Sequence, residues 1–303
     1  MIPAAFTYHR PRTVQAALRL LAEHGGDAKV LAGGQSLLAL MKLRLATPDH
    51  LIDIGRIAAL RRIRVRDGRL RIGALATHWM VESTAAVRRA APGLAETAAT
   101  IGDLQVRNLG TVGGGLAHAD PAADYPAMML ALDGEFALQG RDGVRTVPAS
   151  EFFQGVMATA LRPDELLIEV SVPAAPRRSG AAYVKMPNPA SGFALAGAAA
   201  AIGLDGDGRA THLRVGITGV GPAAYRAKGV EEAVIGQDPT DELLAEAAAA
   251  ASDGADASAD IHAGAAYRLH LARVLTRRAL ILARDRARGG RATRGTSAAR
   301  PAG

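Results

Sequence analysis

Two short runs of small residues constrain this chain more than any other feature: "AGGQS", Ala32 to Ser36, and "TVGGG", Thr111 to Gly115, roughly 75 residues further on. A glycine pair behind an apolar segment lets the backbone pass close to a ligand and turn successive N–H groups towards it. That makes an anion-binding nest without any positive side chain. Neither run holds a lysine or has the G-x-G-x-x-G form, and no G-x-x-x-x-G-K-S/T occurs, so the usual Rossmann and P-loop readings both fail. Taken singly, each run also fits an ordinary turn. Two of them, each with a small hydroxyl residue beside its glycines (Ser36, Thr111), are better explained as the jaws of one dinucleotide clamp.

The surrounding sequence alternates in the way such a clamp needs. "TVQAALRLLAEHG" carries apolar residues at Val14, Ala17, Leu18 and Leu21, with Thr13 as N-cap and Gly25 as stop, and reads as an amphipathic helix. A buried strand "AKVLAGG", a helical "SLLALMKLRLA" closed by Pro48 and a strand "HLIDI" complete a small α/β unit. From Leu60 to Leu75 the alternation through "DG" predicts a β-hairpin. The seven arginines between Arg56 and Arg71 fall mostly on its polar face, where solvent is the expected partner. "THWMVESTAAVRRAAPGLAETAATIG" predicts one or two helices, "LGTVGGGLAHADPAAD" a glycine-rich loop and "YPAMMLALDG" a short helix. "EFALQG", "VRTVPAS" and "DELLIEVSVP" read as strands. After a linker, "PAAPRRSGAA", three strand-like runs precede mainly helices, which predicts an α+β second domain.

Composition narrows the chemistry. With 303 residues and 49% hydrophobic composition, about two domains and a full core are expected, and only 4% aromatic residues make that core aliphatic and alanine-rich. The absence of cysteine excludes disulfides, thiolate catalysis, cysteine-ligated zinc and any iron–sulfur cluster held by this chain. The formal charge of +7 is concentrated in the last twenty residues, which hold six Arg against one Asp; such a Gly/Ala/Arg tail reads as disordered rather than as a nucleic-acid site. The N-terminus has no secretory pattern, and the most apolar run, Phe193 to Leu204, is too short to span a bilayer, so a cytoplasmic location is expected. His118, Asp120 and Asp124 match no standard metal motif, and no metal is expected.

"VLAGGQSLLALMKLRLATPDHLIDIGRI" together with "TIGDLQVRNLGTVGGGLAHADPAADYPAMMLAL" resembles the FAD-binding subunit of the molybdenum hydroxylases, the family of carbon monoxide dehydrogenase medium subunits and xanthine dehydrogenase flavin domains. The resemblance continues through "LRPDELLIEVSVP" and "YVKMPNPASGFALAGAA" to "AYRLHLARVLTRRAL". It implies an α+β fold, with a vanillyl-alcohol-oxidase (PCMH) type FAD domain over 1–176, split into subdomains at about 1–55 and 56–176. A small antiparallel sheet with a helical bundle follows over 177–286, and an Arg-rich tail over 287–303.

Carried over by resemblance, Leu31, Ala32, Gly33, Gly34, Gln35, Ser36 and Leu37 with Thr111, Val112, Gly113, Gly114 and Gly115 wrap the diphosphate and ribityl portions of FAD. Ile101 packs near the flavin, and Leu167 and Lys185 line the isoalloxazine, where a lysine favours the anionic reduced ring. Asp124 matches an acid that hydrogen-bonds the cofactor; a helix N-cap ahead of Pro126 is an equally natural role. For Lys185 the alternative is a surface charge on a strand edge. The chain departs from the family between Lys185 and Phe193, where "MPNPASG" replaces a basic residue and an acid.

The resemblance also implies a division of labour. Substrate is oxidised at a molybdenum cofactor on a large subunit, and electrons cross two 2Fe–2S clusters on a small subunit to reach non-covalent FAD here. An external acceptor (quinone, NAD or dioxygen) takes them, within a cytoplasmic dimer of heterotrimers, a heterohexamer that can also sit at the inner membrane face. This chain contributes no catalytic side chain of its own. The competing readings are a self-sufficient FAD-dependent oxidoreductase of the same superfamily and a non-catalytic nucleotide-binding scaffold.

Overall fold

A computed structural model describes residues 2–289. Of the tail expected from 287 onward, Ala287 still belongs to a helix, and the stretch from 290 lies outside the described residues.

The first unit comprises β1 (Thr7–His9), α1 (Val14–His24), β2 (Ala28–Leu31), α2 (Leu37–Lys42) and β3 (His50–Asp53). Its strands run parallel in the order β1-β3-β2. Thr13 caps α1 by accepting the Ala16 N–H at 3.1 Å, and Ala17, Leu18 and Leu21 form its buried face. The expected helix from Ser36 stops at Lys42, because Arg44 takes a left-handed conformation (φ 59°) and turns the chain well before Pro48.

The second unit is a five-stranded antiparallel sheet of order β4-β5-β10-β6-β7, formed by β4 (Ile63–Arg66), β5 (Arg69–Gly73), β6 (Glu135–Gly140), β7 (Gly143–Pro148) and β10 (Leu166–Pro173). A one-turn helix α9 (Ala149–Phe152) and the short pair β8 (Phe153–Gly155) and β9 (Ala158–Thr159) precede β10. The predicted hairpin turns at Asp67 and Gly68, both with positive φ (53° and 69°), the conformation a two-residue hairpin turn demands. Its arginines are less solvated than expected. Arg64 and Arg71 grip Glu169 of β10 at 2.9 and 3.0 Å, and Arg69 bonds Ser171, because β5 pairs with β10 and brings those acceptors alongside.

Between β5 and β6 run α3 (His78–Ser83), α4 (Ala85–Ala90), α5 (Pro92–Ala99), α6 (Leu104–Leu109), α7 (Val112–His118) and α8 (Asp124–Ala131). The segment expected as a glycine-rich loop is therefore largely helical. Thr111 caps α7 by accepting the Gly114 N–H at 3.1 Å, and the glycines are held by packing rather than by propensity: a Cβ on Gly113 would stand 2.8 Å from the Ala74 Cα.

The third unit is an antiparallel sheet of β11 (Ser179–Pro187), β12 (Ala194–Leu204), β13 (Ala210–Thr218) and β14 (Tyr225–Arg226), in that order. It is covered by α10 (Lys228–Val234), α11 (Asp241–Ala247) and the long α12 (Ala265–Ala287). Strand β12 explains the alanine run. Ala196, Ala198 and Ala200 face the α12 core while Ala199 and Ala201 face the core around α8, so the strand is buried on both sides and reads as continuously apolar. Gly216 of β13 lets α8 approach, since a Cβ there would stand 3.0 Å from the Ala127 Cα. Among the described residues no helix is long and apolar enough to cross a membrane.

Candidate functional site

Because β2 runs parallel to β3, its C-terminal end delivers Ala32–Ser36 to one edge of the first unit, facing the start of α7. Gly33 lies against the backbone of Leu109 and Gly110; a Cβ would stand 2.8 Å from the Gly110 Cα and nearer still to the Leu109 carbonyl oxygen. Gly34 has φ +76°, which favours glycine, and a Cβ on Gly114 would lie 3.7 Å from that of Ala32. The two glycine runs thus touch, and between them opens a cavity of about 470 Å³. Its walls take Ala32 to Leu37, Thr111, Gly113 to Gly115 and Leu167, the last from β10.

The two jaws differ in what they offer. The consecutive N–H groups of Gly33 to Leu37 donate to no acceptor among the described residues. In the second jaw, Val112 N–H bonds Ala76 O and Gly113 N–H bonds Ala74 O, each at 2.9 Å; Gly114 and Gly115 donate to Thr111. Amides spent inside the fold leave no nest there, so the expectation that both turns present N–H groups holds for the first alone. The second presents a wall without side chains and the Thr111 hydroxyl. Lys29 stands among the lining residues as their sole lysine or arginine.

Other expected site residues lie outside this cavity. Leu31 is half-buried at the end of β2, Val112 is fully buried in the large core, and Ile101 packs half-buried against that same core. Asp124 and Lys185 form a separate buried cluster. Lys185 Nζ lies 3.0 Å from both Asp124 carboxylate oxygens and donates to Thr100 O (2.9 Å) and Gly192 O (2.7 Å), while Tyr183 Oη donates to Asp124 at 2.6 Å. Burial pushes the Asp124 carboxyl above its usual range, with the Lys185 ammonium and the Tyr183 hydroxyl pulling it back. Neither alternative from sequence describes these side chains: Ala123 occupies the N-cap of α8, where Asp124 makes no cap hydrogen bond, and Lys185 is only 8% exposed although β11 is an edge strand. The departing segment "MPNPASG" supplies the Gly192 carbonyl that holds Lys185.

His78 escapes the sequence reading. It lines the cavity, its N–H donates to Gly110 O at 3.0 Å, and its Nδ1 lies 3.3 Å from Tyr125 Oη. A Cβ on Gly110 would stand 2.7 Å from its Nε2, so the ring buttresses the junction of α6 and α7. Burial, reinforced by the Arg107 charge, drives its pKa down to about 4, which keeps it neutral. The signal available in sequence was only a histidine one place after a capping threonine. Glu165 also lines the cavity, held by Arg145 at 2.7 Å; that bond keeps its carboxyl below the usual range.

Free consecutive amides, one lysine and a glycine wall without side chains fit a dinucleotide diphosphate. Fold and cleft define a two-part dinucleotide-binding unit joined to an α+β domain, the plan of a flavoprotein subunit. The chain belongs to the family described as FAD binding domain in molybdopterin dehydrogenase, which matches residues 4–175; residues 181–283 match the CO dehydrogenase flavoprotein C-terminal domain. On these matches it is a flavoprotein chain of the molybdopterin dehydrogenase family, whose members similar to it include a carbon monoxide dehydrogenase medium chain and a xanthine dehydrogenase FAD-binding subunit. It is 41% identical over 280 residues to the carbon monoxide dehydrogenase medium chain of Hydrogenophaga pseudoflava, covering 92% of this chain and 97% of that one. Its identity to the 6-hydroxypseudooxynicotine dehydrogenase complex subunit alpha of Paenarthrobacter nicotinovorans is 38%, covering 95% and 97%. A carbon monoxide dehydrogenase from Hydrogenophaga pseudoflava superposes with a TM-score of 0.91 at 42% identity, over 93% of this chain and 98% of that chain.

Proposed function

We propose that this subunit relays electrons: it receives them from 2Fe–2S clusters of a small partner subunit, after substrate oxidation at molybdenum on a large one, and passes them to an external acceptor. The observation that carries the reading is the meeting of the two glycine runs around one cleft in a chain without cysteine. Bound FAD supplies the redox chemistry. The chain's own residues do the rest. The N–H groups of Gly33 to Leu37 hold the diphosphate; Lys29 adds a positive charge; Gly113 to Gly115 let the cofactor lie close to the backbone; His78 and Tyr125 keep that backbone in place. The Asp124–Lys185–Tyr183 cluster braces α8 against β11, close to where the resemblance places the isoalloxazine.

The relatives support the division of labour. Two relatives of similar identity to this chain belong to enzymes named for carbon monoxide and for 6-hydroxypseudooxynicotine, compounds with nothing in common. A subunit that tolerates such a change does not select the substrate. Affinity purification of the tagged chain from native cells, with iron, molybdenum and flavin assayed together, tests the proposal. Recovery of FAD with two further chains carrying iron and molybdenum is the expected result. A yellow chain isolated alone and oxidising a substrate unaided would instead establish the self-sufficient oxidoreductase.

A further inference from the structure

The first unit holds a second cluster of chemistry-bearing side chains, outside the flavin cleft. His9 ends β1, His24 ends α1 and His50 begins β3, and the topology brings all three half-buried rings together. Their nearest ring nitrogens all lie within 4.8 Å of one another, and His9 Nε2 is 3.0 Å from His50 Nδ1. The His24 and His50 rings stack with centroids 3.7 Å apart, and His9 lies 5.0 and 5.2 Å from the two. Apart from the His9–His50 contact, these imidazoles make no side-chain hydrogen bond among the described residues. None of the three lines the flavin cleft.

We propose that His9, His24 and His50 form a site for one divalent transition-metal ion of the zinc class, which ties β1, the end of α1 and the start of β3 together.

Donor chemistry supports this assignment. Three imidazoles with an open fourth position suit Zn2+, Cu2+ or Ni2+, whereas Ca2+ and Mg2+ need oxygen donors that this cluster lacks. In a tetrahedral site with bonds of about 2.0 Å, neighbouring donor atoms are separated by about 3.3 Å. The His9–His50 nitrogens, at 3.0 Å, already stand close to that spacing. The stacked rings are nearly parallel, at 5°, so sharing an ion requires His24 or His50 to turn about its Cβ–Cγ bond, a soft torsion for histidine. In the chain, Glu23 precedes His24 and Asp49 precedes His50, so an acidic residue adjoins two of the three histidines. Arg10, the adjacent cation, is engaged 3.3 Å away by Asp53.

Equilibrium dialysis of the full chain, stripped with chelator and titrated with zinc chloride at pH 7.5, tests this, with the visible spectrum of the cobalt-loaded protein reporting coordination number. Saturable binding of one equivalent is expected, with a four-coordinate cobalt spectrum and a rise in Tm. His9→Gln or His24→Gln should weaken binding at least about tenfold, and His118→Gln and His212→Gln should leave it unchanged. All eight histidines of the chain are among the described residues, so each alternative donor can be removed in turn. Circular dichroism of the metal-free variants separates loss of the site from loss of the fold. No saturable zinc binding, or undiminished binding by the folded His9→Gln/His24→Gln/His50→Gln variant, overturns the proposal.

Discussion

Gly33 and Gly110 press backbone against backbone: a Cβ on Gly33 would stand 2.8 Å from the Gly110 Cα, with the Leu109 carbonyl oxygen closer still. No flexible side chain can give way there, so the contact is the hinge pin that sets the separation of the two jaws. Gly33→Ala is expected to cost about 2 kcal/mol by overpacking and to abolish stoichiometric FAD retention. Gly26→Ala, where a Cβ meets nothing within 4 Å, should change neither. Thermal melts and the flavin-to-protein absorbance ratio check both variants.

His78 gives the fold a pH dependence whose sign follows from its depressed pKa. Between its ordinary value of 6.5 and about 4, the unfolded chain takes up a proton that the folded ring refuses. Stability therefore falls as pH drops through that window and stops responding to this group below it. At about 1.4 kcal/mol per pH unit, the loss reaches at most about 3.5 kcal/mol. Denaturant titrations of wild type and His78→Gln at pH 7, 5.5 and 4.5 should show a shallower slope in the variant. Equal slopes would contradict the buried neutral assignment.

Removing Lys185 leaves the Asp124 carboxyl buried without its cation. Lys185→Ala is expected to destabilise the folded chain by about 3 kcal/mol, and Tyr183→Phe by about 1 kcal/mol, because the phenol contributes one hydrogen bond among several. In Asp124→Asn/Lys185→Met, stability should recover relative to Lys185→Ala alone. Additive losses in this cycle would show that the pair is not coupled.

Lys29 stands at the cleft wall as a point charge rather than as part of the fold. Lys29→Ala should weaken FAD binding about three- to tenfold, with the difference shrinking as salt is raised, and should leave Tm of the apoprotein unchanged. Flavin-fluorescence titrations at two ionic strengths measure both effects.

Much of this arrangement can be read from sequence, and the failures have identifiable causes. Helix α1 announces itself because Thr13, the apolar period and Gly25 all agree, and the β4–β5 hairpin because "DG" sits inside clean alternation. Helix α7 does not: three successive glycines carry poor helix propensity, and what holds them is Ala74 on one side and the Thr111 hydroxyl beneath, contacts that only the folded chain supplies. The same contacts consume the amides that sequence assigns to the ligand. The Asp124–Lys185 pair is invisible locally, since the partners come from α8 and β11. Likewise His9, His24 and His50 match no metal motif, because their spacing is set by parallel strand pairing rather than by helical or hairpin geometry.

Hydrogen exchange at the amides of the two jaws, with and without FAD, tests the central claim most directly. Because Gly33 to Leu37 have free N–H groups and Val112 to Gly115 have theirs already bonded within the protein, one equivalent of FAD should slow exchange strongly in the first segment and change it little in the second. Unchanged exchange at Gly33 to Leu37 in the flavin-loaded protein would contradict the account.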